Sequence, residues 1–195
     1  SLGVTSGNLS ATTVSAGGAA QTVTLTTTTA GNVSIDDVTA NGAGSSVTIT
    51  SAGTVNDLTG GNELDADLIT PTASITGTAI GAAGNPIDTT VDSLTTNTSG
   101  AGGNQFITES NALTALALNA GAGDITFIAT LGAISDTDGT ADITAATASI
   151  TLSDAASRDF GSLANSINTN VTNLTVDTSA GGGNQFIAEA SGLTA

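Results

Sequence analysis

The sequence predicts an all-β fold, a repetitive parallel β-helix or β-solenoid. A unit of about 80 residues recurs along the 195-residue chain. Short segments alternate an apolar residue with Thr or Ser, which is the period-2 pattern of a β-strand. The chain contains four Phe and no Trp or Tyr. A narrow coil filled by small aliphatic residues needs fewer aromatic side chains than a β-sandwich does, so the composition favours the solenoid.

The long repeat is clearest in two nearly identical heptapeptides. Residues 103–109 read Gly-Asn-Gln-Phe-Ile-Thr-Glu, and residues 183–189 read Gly-Asn-Gln-Phe-Ile-Ala-Glu, 80 positions later. Residues 72–76 and 147–151 both read Thr-Ala-Ser-Ile-Thr, at an offset of 75. The difference of five residues falls around residues 157–161. Fixed-period repeats of this length are typical of stacked architectures.

The repeat predicts how the chain is organised. We assign residues 1–29 to divergent first rungs or a linker, 30–112 to a first long repeat, 113–192 to a second, and 193–195 to the start of a truncated third. At about 20 residues per rung, the chain would make about ten rungs spaced about 4.8 Å apart. Because it stops early in a unit, we expect it to be a slice of a longer repetitive protein.

The strand segments are short and are separated by turn-forming residues. Gly, Asn and Asp cluster between them, as in the Gly-rich run 100–103. Helix patterns are poor, and the best of them, residues 113–118, is too short to be stable alone. Strands of this length could also build a sandwich or a barrel. The clearest strand segments are residues 23–26, 33–35, 47–50, 125–127, 150–152 and 174–176.

The composition excludes several classes of function. The net charge is −16, with one Lys or Arg against 17 acidic residues, and the chain has no His, Cys or Tyr. These absences remove the Ser-His-Asp triad, a thiolate nucleophile and the usual zinc ligands, so we expect no enzyme. No basic surface is available for nucleic acid, and no apolar run is long enough to span a membrane. Paired carboxylates of a glycoside hydrolase are a minor alternative, because they recur with the repeat.

One acidic loop has the pattern of a calcium site. Residues 136–142 read Asp-Thr-Asp-Gly-Thr-Ala-Asp, and an Asp-x-Asp-Gly turn places two carboxylates on one side, as calcium loops do at their start. Asp136, Asp138 and Asp142 are therefore candidate calcium ligands. The alternative is a solvated turn that keeps the protein soluble. Residues 56–67, which include Asn62 and Glu63, are similarly rich in acidic and amide side chains at the corresponding place in the first repeat.

The five-residue insertion suggests a contact surface. Arg158 is the only basic side chain of the sequence, and Phe160 follows closely. We expect these two residues to make a lateral or inter-subunit contact, with a local ion pair between Arg158 and Asp159 as the alternative. Phe106 and Phe186, at matching positions of the repeat, are expected to be core or stacked rung residues rather than platforms for a ligand.

The repeat also resembles a known family. The unit made of residues 103–109, 124–127 (Asp-Ile-Thr-Phe) and 132–136 (Gly-Ala-Ile-Ser-Asp) resembles the β-strand repeats of giant secreted bacterial surface proteins, such as filamentous haemagglutinin and related large adhesins. The resemblance covers most of residues 30–195. It implies a right-handed parallel β-helix in an extended extracellular or cell-surface protein, and it supplies no catalytic residues.

Two functions follow as expectations. The first is a structural segment of a rod, sheath or surface filament that forms by end-to-end stacking, either as a head-to-tail homopolymer or by continuation of a longer chain. The alternative is an adhesin segment that binds glycans or surfaces of other cells. No cofactor is expected apart from calcium.

Overall fold

A computed structural model describes residues 1–59 and 65–193. Every regular element in those ranges is a β-strand, and all pairings between the strands are parallel. This confirms the all-β, parallel β-solenoid class. The strands are β1 Leu2–Ser6, β2 Leu9–Ser15, β3 Thr22–Ala30, β4 Val33–Thr39, β5 Ser46–Thr50, β6 Val55–Asp57, β7 Leu68–Thr76, β8 Ile87–Asn97, β9 Gln105–Glu109, β10 Ala115–Asn119, β11 Ile125–Ala129, β12 Ile143–Leu152, β13 Ile167–Asp177 and β14 Ile187–Glu189.

The chain winds through about eight turns of about 23 residues each. The turn is thus longer than the 20 residues expected from the sequence, and the turns are fewer than ten. One column of residues, paired from each turn to the next, extends from the first turn of the coil to the last. We call it the first column. It consists of Leu9, Val33, Val55, Ile80, Gln105, Ile125, Ala148 and Leu174.

A second column lies about half a turn further along the chain. It contains Val23, Val47, Ala73, Leu94 and Leu116. At about 23 residues per turn, the 80-residue repeat spans about three and a half turns. Equivalent residues therefore change columns: Leu94 lies in the second column and its equivalent Leu174 in the first. The repeat is a half-turn screw, and successive copies present the same surface on opposite sides of the coil.

The core between the columns is narrow and mainly aliphatic. In β5, Val47 and Ile49 are buried while Ser46, Thr48 and Thr50 are not, as the alternating pattern predicts. Most other fully buried side chains are likewise Val, Ile, Leu or Ala, because opposite walls of a 23-residue turn leave little room for larger groups. The hydrophobic effect of this aliphatic stack supplies the main stabilisation of the coil.

The four aromatic residues divide between the core and the outer face of the coil. Phe106 and Phe186 are only half-buried. Phe106 follows the buried Gln105, and side chains alternate between the two faces of a strand. Phe127 and Phe160 are the ones that lie in the core. Neither Phe106 nor Phe186 thus lies in the core, and Phe106 is instead stacked on Thr126 of the next turn, the other position expected for it.

Residues 1–29 contain β1, β2 and most of β3, which belong to the same sheet as the other strands. They form turns of the coil. Of the predicted third repeat at residues 193–195, residues 194 and 195 lie outside the described residues.

Glycine allows two turns to approach closely at one corner of the coil. A Cβ atom on Gly103 would overlap the backbone carbonyl oxygen of Thr78 on the preceding turn. The equivalent Gly183 faces the carbonyl oxygen of Arg158 in the same way. The glycine that begins the repeated heptapeptide is thus required by backbone packing between turns.

We expect Gly103→Ala to lower the free energy of unfolding by about 1–3 kcal/mol, because the backbone must move to relieve the overlap. Gly100→Ala is the matched control, since a Cβ at Gly100 meets no atom within 4 Å. The control should unfold at the urea concentration of the wild type or slightly above it. Urea unfolding followed by circular dichroism measures both variants, and equal midpoints would contradict the close approach.

Candidate functional site

The predicted calcium ligands lie together in the loop between β11 and β12. One carboxylate oxygen from each of Asp136, Asp138 and Asp142 lies within 4.8 Å of the other two. Asp136 and Asp142 are buried, with 3% and 1% of their surface exposed, whereas Asp138 is exposed. Within residues 1–59 and 65–193, these are the only three His, Cys, Asp or Glu side chains that lie close enough together to hold a metal ion.

Backbone hydrogen bonds fix the first two carboxylates. Asp136 Oδ2 accepts from the backbone N–H of Asp138 at 2.9 Å, and Asp136 Oδ1 accepts from that of Leu116, on the preceding turn, at 3.2 Å. Asp138 Oδ1 accepts from both the N–H and the hydroxyl of Thr140, each at 2.7 Å. These bonds hold the pKa of Asp138 below its ordinary value. Gly139 has a φ of 73°, which the tight turn requires.

Asp142 joins this loop to the following turn. Its Oδ2 accepts from the backbone N–H of Asn168 at 2.6 Å. Its Oδ1 is buried and has no hydrogen-bond partner. Burial raises the pKa of Asp142 to about 6, and the negative charges of Asp136 and Asp138 add to the effect.

A polar cavity of about 280 Å³ opens beside Asp136, which is the one of the three carboxylates that lines it. It reaches from the acidic loop to the segment that precedes β13. Backbone carbonyl, hydroxyl and amide groups are available around it. The lining residues are Asp136, Thr137, Gly139, Ala164, Asn165, Ser166, Asn168 and Ala188.

The first repeat contains the counterpart of this arrangement. Asp67 Oδ2 accepts from the backbone N–H of Asp88 at 2.8 Å, as Asp142 does from Asn168. Asp57 occupies the place of Asp136 and accepts from the backbone N–H of Thr59 at 2.9 Å. The predicted candidates Asn62 and Glu63 lie outside the described residues. In both repeats, a buried carboxylate just before a strand accepts a hydrogen bond from a backbone N–H group of the next turn.

Two equivalent glutamates, Glu109 and Glu189, also accept hydrogen bonds from backbone N–H groups of another turn. This role was not predicted from the sequence. Glu109 accepts from the Thr89 hydroxyl at 2.7 Å and from the Val91 N–H at 3.2 Å. Glu189, 80 residues later, accepts from the matching groups of Thr169 and Val171 at 2.6 and 3.3 Å. The Glu that closes both copies of the heptapeptide could have indicated this role.

The two glutamates differ in what covers them. Glu109 is fully buried beneath β11, and burial raises its pKa from 4.5 to about 7, although its hydrogen bonds act in the opposite direction. Glu189 is partly exposed. Its burial also acts to raise the pKa, but the hydrogen bonds from Thr169, Ser191 and Val171 outweigh it, so the pKa is lowered. The pKa values of these two equivalent glutamates are therefore shifted in opposite directions.

The predicted contact residues Arg158 and Phe160 do not form a common surface. Phe160 is fully buried and pairs with Ile134 and Gln185 on the neighbouring turns. The predicted surface contact of Phe160 is therefore wrong, because its side chain lies inside the coil. Arg158 is partly exposed, and its Nε donates to Asp154 Oδ2 at 2.6 Å rather than to Asp159.

Comparison with protein-family models, with curated proteins and with solved structures gives no significant match for this chain. None of the described residues forms a helix long and apolar enough to cross a membrane.

The glutamates predict an unusual pH dependence. Because the folded pKa of Glu109 is raised, its stabilising contribution is complete below pH 4.5 and is lost as the pH rises through 7. We expect the wild type to lose about 2–3 kcal/mol of stability between pH 5 and pH 8 through this group. Glu109→Gln should remove most of that loss, because the amide oxygen still accepts from the backbone and no charge is buried.

Glu189→Gln is the matched control. Its lowered pKa contributes stability above pH 4.5 that is lost as the pH falls, so this variant should keep the loss between pH 5 and pH 8. Thermal unfolding across the pH range measures the three proteins. Parallel profiles for the wild type and Glu109→Gln would contradict the assignment.

Proposed function

We propose that this chain is a structural segment of an extracellular or cell-surface β-solenoid that forms a rod, sheath or filament by end-to-end stacking. The main support is the free edge of the last turn. Residues 173–177 of β13 pair with β12 on one side, and no other described strand pairs with them on the other. Their equivalents in β8, residues 93–97, are paired on both sides, with β7 and with β10.

The core at this edge is correspondingly uncovered. Leu94 is fully buried beneath Leu116, whereas its equivalent Leu174 is only partly buried. A further parallel turn that resembles β10 would cover Leu174 and pair the free backbone groups. Unpaired strand edges recruit other strands by this kind of addition.

The first turn, at the opposite end of the coil, also has strands with one unpaired edge. Among the described strands, β1 pairs only with β3 and β2 only with β4, and Leu2 is 47% exposed. The first column begins at Leu9 and ends at Leu174. A second copy, or the next turns of a longer chain, would therefore continue the same column with the same strand direction. Such a head-to-tail contact generates an open linear array.

The composition agrees with this role. With one basic residue in 195, trypsin has a single site for cleavage, after Arg158, which suits a long-lived extracellular material. The charge of −16 keeps neighbouring rods apart and solvated. We propose no catalytic activity, nucleic-acid partner or membrane span for this chain.

Charge on the free edge should prevent stacking. We expect Leu174→Asp to remain monomeric at concentrations where the wild type forms linear oligomers, because the buried carboxylate would lack a partner at the contact. Leu163→Asp is the control, since Leu163 is 88% exposed on the loop between β12 and β13 and pairs with no strand. Sedimentation velocity over a concentration series distinguishes them. A monomeric wild type at all concentrations would contradict stacking between separate copies.

A groove on the side of the coil supports the second candidate, a glycan-binding adhesin segment. It encloses about 370 Å³ between Pro86, Phe106 and Ile128, with Asp88 and several Thr side chains at its margin. A half-exposed ring beside hydroxyl and carboxylate groups matches the mixture of apolar and polar contacts in small-ligand sites.

If the groove binds glycans, Phe106→Ala should abolish binding to a glycan array and leave the circular dichroism spectrum unchanged. Phe186→Ala removes the equivalent ring on the opposite side of the coil, where no further described turn completes a groove, and should bind as the wild type does. Equal binding by the two variants would exclude the groove as the site.

A further inference from the structure

Three carboxylates meet in the loop before β12 without a positive neighbour. The only basic side chain of the sequence, Arg158, bonds to Asp154. Asp136, Asp138 and Asp142 therefore have no basic side chain of their own to offset their mutual repulsion. Grouped negative charges in a partly buried place are costly unless a cation compensates them.

The second observation is the state of Asp142. This side chain is 1% exposed, and its Oδ1 is buried without a hydrogen-bond partner. Its other oxygen is used by the N–H of Asn168. Buried polar atoms in folded proteins are nearly always satisfied, so this oxygen supports the presence of a ligand beside the acidic loop.

We propose that Asp136, Asp138 and Asp142 bind one Ca²⁺ ion. Oxygens of three carboxylates within 4.8 Å of one another fit around a single ion with Ca–O distances of about 2.4 Å. The adjacent cavity leaves space for water and for neutral oxygen ligands. Mg²⁺ fits less well, because it requires a tighter octahedron, and Zn²⁺ prefers the nitrogen and sulfur ligands that this chain lacks.

Binding would join three successive turns. Asp136 is bonded to the N–H of Leu116 on the turn before, and Asp142 to that of Asn168 on the turn after. An ion that bridges the two carboxylates links these turns through charge-assisted contacts. The site thus acts as a clamp along the axis, and it does so whether or not the solenoid forms rods.

Isothermal titration of metal-free protein with CaCl₂ at pH 7.5 tests the proposal. We expect a saturable site with a dissociation constant of roughly 10⁻⁴ to 10⁻³ M, and a rise of several degrees in the unfolding temperature at saturating Ca²⁺. Asp138→Asn should weaken binding by about tenfold or more. Asp138 is exposed, and an Asn there can still accept the bonds from Thr140, so this variant is expected to fold.

Asp37→Asn is the matched control. Asp37 is exposed and accepts from the Thr39 hydroxyl two residues on, as Asp138 does from Thr140, and it lies far away along the coil. It should bind Ca²⁺ as the wild type does. Identical titrations for the wild type, Asp138→Asn and Asp37→Asn would overturn the proposal. Heats that never saturate would also overturn it, because they would show only that Ca²⁺ screens the negative charge of the protein. A folded Asp142→Asn variant with unchanged affinity would overturn it as well.

Discussion

The parallel backbone ladder between successive turns is the constraint on which the rest of the molecule depends. Most internal strands pair with other strands along both edges, so a turn must match the turns above and below it in direction and register. The inner face then becomes a continuous aliphatic stack, because residues paired from turn to turn lie directly over one another. Among the described strands, the pairings that this coil leaves open thus include those at its two edges.

The half-turn screw explains features that lie far apart in the sequence. An 80-residue unit that spans three and a half turns places the same heptapeptide on opposite sides of the coil. Its glycine lets two turns approach, and its glutamate accepts backbone N–H groups of another turn. The buried aspartates Asp67 and Asp142 do a similar job at the strand breaks. Most of the acidic residues with structural roles are thus explained by backbone satisfaction between turns.

Much of the fold was predictable from the sequence, because alternation and long-range repetition report directly on strands and stacking. β5 and β11 lie where the Thr-Ile and Ile-Thr-Phe patterns place them. The residue count of one turn was not predictable, since corner residues follow no period and add length that alternation does not show. For the same reason the phase of Phe106 and Phe160 could not be read, because one extra corner residue exchanges inside and outside.

The acidic site was partly predictable. Asp136, Asp138 and Asp142 were grouped from local spacing alone, and the structure brings them together. The pairing of Asp142 with Asn168 could not be anticipated, because it depends on which residues lie 26 positions apart on adjacent turns. The roles of Glu109 and Glu189 depend on the same turn-to-turn register.

Electron diffraction or cryo-electron microscopy of the concentrated protein tests the central claim most directly. If parallel turns stack into a continuous ladder that the free edges extend, linear particles should show a strong axial repeat of about 4.8 Å. The turns of one copy should continue into the next without a change of strand direction. Compact single particles without this axial repeat would contradict the account of a solenoid that extends end to end.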